Sequence, residues 1–197
     1  MIINLLNGIE FQSPDTFNLE VAATLVYYFT VYSWFGWLLE NSYNFITKRE
    51  FLKPNFLFGP FKPMYGFTPV LLVNLMSPET DWLVVILVCF AIPTIVEYVT
   101  GTLLQKLFNR QWWDYSASPL QLHGHICLPF SICWGILSLL CIKLLHPAVA
   151  SLYGTIEPYW AWVWSAVGLY FLADLVLAIR KHSLHDLFAD EPTNPIQ

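Results

Sequence analysis

The sequence predicts an all-α fold, a polytopic membrane helix bundle with about five transmembrane helices, the second short or broken. Charge is the first reason. Only 12% of the 197 residues are charged and 56% are hydrophobic, where a soluble domain carries roughly 25% charge. That leaves too little charge to coat a water-facing surface, and the mean hydropathy of +0.53 agrees. Spacing is the second: long apolar stretches alternate with short polar intervals, and a bilayer helix needs about 20 such residues. The third is the aromatic share of 17%, with nine Trp, because Trp and Tyr concentrate at both membrane interfaces.

Residues 1–19 read as an extracytoplasmic N-terminal segment, in which Ser13, Pro14 and Asp15 mark a turn or a helix start. The segment lacks the basic and apolar regions of a cleaved signal, so it is expected to be retained. Residues 20–180 form the expected transmembrane bundle, and 181–197 a polar, acidic cytoplasmic tail. The first span covers about Glu20 to Thr47 and ends in a polar stretch with Glu40, Asn41 and Asn44. The second segment, Pro63 to Met76, follows the Gly/Pro-rich run Gly59 to Gly66. That run cannot be regular helix throughout, since Pro removes donors and Gly loosens the backbone. The segment is a short span or a re-entrant half-helix, and its approach is either an interfacial loop or backbone that coordinates a substrate. The third span is expected over Trp82 to Leu107, the fourth over His125 to His146, and the fifth over Pro158 to Arg180.

Charge sets the orientation. If all five segments cross, every one of the nine basic residues except Lys143 falls on one side: Lys48, Arg49, Lys53 and Lys62, then Lys106 and Arg110, then Arg180 and Lys181. The positive-inside rule makes that side cytoplasmic, with the N-terminus outside and the C-terminus inside, as a multi-pass protein of the cell membrane. No basic run exists, so nucleic acid is not an expected partner; membrane lipids are. The four cysteines lie in apolar stretches without a CxxC pair and read as buried thiols.

Several strings resemble one family. They are Phe35-Gly36-Trp37-Leu38-Leu39-Glu40 followed by Tyr43; Phe51-Leu52, Gly59-Pro60-Phe61 and Pro63-Met64-Tyr65-Gly66; Glu97-Tyr98-Val99-Thr100-Gly101; Trp112-Trp113-Asp114-Tyr115-Ser116; and Gly124-His125-Ile126-Cys127-Leu128 with Ser131 and Trp134-Gly135. In this order, over roughly residues 33–135, the set resembles the family described as putative ABC-transporter type IV, the CmpB-like putative permeases. The chain departs from it at His123-Gly124-His125, where the family pattern reads Asn-Gly-Arg, so a permanent cation is replaced by a group mostly neutral near pH 7. The resemblance implies a permease-like component of a bacterial inner membrane, energised by a separate ATPase subunit. No Walker A string is present, so the chain is not itself an ATPase of that type.

The intramembrane polar residues carry the functional expectation. A carboxylate deep in the bilayer costs roughly 2.5–3.5 kcal/mol on insertion scales, so Glu40 and Glu97 should face the interior, be protonated or be paired. Candidate partners are Tyr43, Tyr65, Tyr98, His123, His125 and Lys62. The candidate substrate-binding set is Glu40, Tyr43, Tyr65, Glu97, Tyr98, Asp114 and His123. Asp114 is expected to fold back into the inner mouth or to sit solvated in an interfacial cap, and Asp174 to be a helix-end carboxylate with water access. The same cluster reads alternatively as a structural hydrogen-bond network. It also reads as the acid–base site of an intramembrane enzyme acting on a lipid or isoprenoid. A non-catalytic membrane scaffold is a further alternative. No cofactor is expected. A metal site is not expected either, because His123 and His125, two residues apart, do not share a helix face.

Overall fold

The computed structural model describes residues 19–77 and 79–189, with side chains to Ser183. The expected N-terminal segment, apart from Leu19, and the last eight residues of the expected tail lie outside the described residues. Helix α1 spans Leu19–Lys48, α2 Pro63–Leu75 and α3 Trp82–Phe108. A two-residue antiparallel pair follows, β1 Gln121–Leu122 with β2 Ile126–Cys127. Helix α4, Leu128–Leu140, continues through the π-helical turn Cys141–Leu145 into α5, His146–Ala189.

The starts follow local chemistry. Pro63 opens α2 and Pro129 sits in the first turn of α4, positions where a missing N–H goes unneeded. Asp81 caps α3 by accepting from the Leu83 amide at 2.8 Å. Asn109 ends α3 in the left-handed conformation at φ 44°. The fourth helix begins three residues later than expected because residues 121–127 form the strand pair and its turn. The last helix runs past Arg180 to Ala189.

Two continuous helical stretches, Trp82–Phe108 and Leu128–Ser183, are long and apolar enough to cross a membrane. The second is one helix by its backbone bonding but not one straight rod. Val149 accepts from Tyr27 at 3.2 Å, and Tyr153 meets Thr24 at 2.9 Å. Trp160 then donates to the Ala23 carbonyl at 2.7 Å, and Phe171 packs on Phe29 with ring centres 5.1 Å apart. A straight helix would hold Val149 and Phe171 about 33 Å apart, yet both meet the same turn of α1. The chain therefore climbs α1 to Tyr153, reverses between Tyr153 and Trp160, and descends the same helix.

The core is aromatic toward the N-terminal end of α1, where Tyr27, Tyr28, Tyr32, Val149 and Tyr153 are buried together. A smaller apolar cluster of Leu72, Val85 and Cys89 joins α2 to α3. Around these, large side chains stay exposed, among them Trp162, Leu169, Leu87 and Ile95. So much exposed apolar surface exceeds what soluble monomers tolerate.

Candidate functional site

Helix α2 has 13 residues, about 20 Å of rise against a hydrocarbon core of ~30 Å. Its start lies beside the middle of α1, where the Lys62 amide donates to the Ser33 carbonyl at 3.0 Å. Residues 49–62 thus run from the end of α1 back up to its midpoint as irregular backbone. Irregular backbone packed between helices requires partners from the protein, and buried or half-buried polar side chains supply them. Asn41 accepts from the Lys53 amide at 2.8 Å, and Asn44 donates to the Glu50 carbonyl at 2.6 Å. Asn55 donates to the Gly59 and Phe61 carbonyls, both at 2.9 Å. From α5, the Asp174 carboxylate accepts the Phe58 and Gly59 amides, both at 2.9 Å. The Phe56 carbonyl lies 3.2 Å from His182 Nε2.

Two carboxylates flank the start of α2. Glu40 Oε2 accepts from Lys53 Nζ and Lys62 Nζ, each at 2.7 Å. The Tyr65 hydroxyl lies against the same carboxylate. Tyr65 is admitted by Gly36, where any Cβ would collide with its Cβ and ring. On its other side the Tyr65 ring meets Trp134 edge-on at 5.6 Å.

Glu97, on α3, is 2% exposed. Its Oε1 accepts from Trp134 Nε1 and from the Tyr115 hydroxyl, each at 3.0 Å. Its Oε2 is buried without a partner. Tyr115 is delivered by the 109–127 segment, which lies tight on α3 at Gly101. A Cβ there would stand 2.9 Å from His125 Nδ1 and 3.1 Å from Trp113. Trp113 fastens the segment by donating to the His125 carbonyl at 2.8 Å.

Above Glu97 a cavity of about 560 Å³ opens between α1, α2, α3 and the α4–α5 run. Its walls include Phe35, Leu39, Pro69, Val96, Leu137 and Leu144, with Glu97, Tyr65 and Trp134 among its polar lining. Pro93, which lines it, withholds the amide that the Cys89 carbonyl would otherwise receive in a regular helix.

The structure brings Glu40, Tyr65 and Glu97 together and leaves the other four expected residues elsewhere. Tyr98 and His123 pair with each other, hydroxyl to Nδ1 at 2.9 Å, outside the cavity lining. Tyr43 is 61% exposed. Asp114 is exposed and accepts from the Ser116 amide and hydroxyl at 2.8 and 2.6 Å; those two bonds hold its pKa below the usual carboxylate range. The neighbouring Tyr115, not Asp114, reaches into the bundle. Asp174 is no water-facing helix end: it is 4% exposed and caps the loop. Trp134 and Tyr115 had no sequence signal as carboxylate partners beyond their place in the family-like strings. Asn41, Asn44 and His182 had polarity inside or beside an apolar stretch.

The family model described as Putative ABC-transporter type IV matches residues 27–179, taking in the cavity, both carboxylates and the Asp174 cap. The chain belongs to this family. No curated protein and no solved structure matches it. Among the described residues, no cluster of His, Cys, Asp or Glu could hold a metal ion.

Proposed function

We propose that this family member is a permease-like membrane component that holds a small solute or lipid in the cavity above Glu97. The observation that carries the reading is a largely apolar cavity with a buried carboxylate, Glu97, in its lining; one oxygen of that carboxylate has no hydrogen-bond partner. Buried polar atoms are nearly always satisfied, so an unpaired carboxylate oxygen beside a cavity calls for an explanation, and a bound molecule supplies one. In this reading five segments cross the bilayer: α1, the loop with half-helix α2, α3, and the ascending and descending legs of the α4–α5 run. The N-terminus lies outside and the C-terminus inside. Glu97 and Tyr65 contact the ligand, and Glu40 with its lysines anchors the start of α2. Tyr43, Tyr98, Asp114 and His123 stand outside the lining. A separate ATPase subunit acts from the cytoplasmic side, where the ends of α1 and α3 and the 109–127 segment lie. The enzymatic alternative would use Glu97 as acid or base. With Oε1 holding two donors and Oε2 buried without a partner that could pass a proton, the arrangement favours holding a ligand over relaying a proton.

Mass spectrometry of protein released from mild detergent tests this. The wild type should retain a molecule that a cavity-filling Leu137→Trp variant loses. Identical spectra from two folded proteins would overturn the reading.

A further inference from the structure

We infer that the cavity admits, sideways from the bilayer, a single-chain amphiphile whose head donates a hydrogen bond and bears no negative charge, such as a long-chain alcohol or amine. The inference rests on the reading of the cavity as a binding site and adds the class of its occupant.

Three features select that class. The first is the rim. Leu39, Leu140 and Leu144 line the cavity yet are 41%, 48% and 68% exposed, so its edge reaches the apolar flank of the molecule. A hydrated solute would shed its water on that path, whereas an acyl or isoprenoid chain exchanges one hydrocarbon environment for another. The volume of about 560 Å³ falls in the ~300–1,000 Å³ range of small-molecule sites.

The second is the polar end. Trp134 and Tyr115 both donate to Glu97 Oε1, and Oε2 has no donor. Oε2 is closed off from the cavity, so a head carrying O–H or N–H completes the carboxylate's shell by a rotation of the Glu97 carboxylate toward the cavity it lines. The third is the sign of the charge. No Lys, Arg or His lines the cavity; Lys53 and Lys62, beside the start of α2, are both held by Glu40, and Lys143 sits over the Trp82 ring. A phosphate or carboxylate head would meet Glu97 with no cation to offset the repulsion.

The test uses hexadecanol, hexadecylamine and palmitate, each with a diazirine in the chain, added to the full-length protein in phosphatidylcholine nanodiscs. After photolysis, labelled peptides are mapped by mass spectrometry. The alcohol and the amine should label the stretch from Leu137 to Leu145. Palmitate should label it about tenfold less, the scale of one hydrogen bond to a charged group. Unlabelled hexadecanol should compete. Glu97→Gln offers an amide donor in place of the carboxylate, so it should raise palmitate labelling and lower that of the amine. Leu137→Trp should abolish labelling by all three.

Cavity labelling with no preference among heads, or a preference unchanged in Glu97→Gln, overturns the assigned class and leaves the cavity as a binding site. Labelling of the cavity by none of the probes in folded wild-type protein overturns both.

Discussion

At the scale of single residues, the charges in this molecule differ in what holds them. Glu40 serves two lysines through one oxygen, and the lysine side chains are 40% exposed for Lys53 and 12% for Lys62. Losing Lys53 removes a largely screened partner, so Lys53→Met should cost under about 1 kcal/mol. Glu40→Gln strands the buried Lys62 and should cost about 3 kcal/mol. Thermal unfolding in detergent should rank the variants Glu40→Gln, Lys62→Met, Lys53→Met, from most to least damaging. Asp174 is a sharper case, because two backbone amides depend on it. Asp174→Ala leaves both without an acceptor, the Gly59 amide buried and the Phe58 amide partly so, for a loss of about 2–4 kcal/mol by the same measurement. Asp114 has its pKa lowered by the Ser116 bonds. Its contribution to stability is therefore fully present above the unfolded carboxylate range, near about 4, and is lost as pH falls through the lower folded value. Melting followed downward through that window should drop more steeply in wild type than in Asp114→Asn.

Elements meet here through missing side chains as much as through present ones. Helix α2 lies on α1 because Gly36 leaves room for Tyr65 and Gly66 for Ser33 and Phe29. Gly36→Ala would drive a methyl into Tyr65 and should destabilise by about 1–3 kcal/mol, as overpacking does. Gly168, on α5, has nothing within 4 Å of an added Cβ, so Gly168→Ala should be neutral or stabilise by up to about 1 kcal/mol through helix propensity. The two variants, melted side by side, separate close packing from backbone freedom. The same scale explains the loop before α2. Its irregular course was legible in the run Gly59 to Gly66, since neither Pro nor Gly sustains a helix. Its partners were not legible: Asp174 lies more than a hundred positions further along the chain, and its neighbours in sequence mark it only as a carboxylate near a helix end.

For the whole molecule, the arrangement of charges and the doubling back of α5 between Tyr153 and Trp160 make one joint prediction. Glu79 and Glu157 should share the outer face, and Arg110 and Lys181 the inner. Single cysteines at these four exposed positions, in a background lacking the native cysteines, can be probed on intact cells with a membrane-impermeant maleimide. Glu79→Cys and Glu157→Cys should label before lysis, and Arg110→Cys and Lys181→Cys only after it. Labelling of Glu157→Cys and Lys181→Cys together on intact cells would overturn the two-legged path of α5.

The helical class, the bounds of α1, α2 and α3 to within a residue or so, and the break before α2 were all determined by the sequence by itself. These depend on local composition: apolar length and turn-forming residues. Only the tertiary structure decided that Glu97 is held by Tyr115 and Trp134, that Glu40 takes two lysines, and that Tyr98 and His123 satisfy each other away from the cavity. The physical reason is that apolar surroundings press buried polar groups to find partners but leave the choice of partner to packing. Packing brings together residues from distant parts of the chain, and no local pattern records which of them will meet.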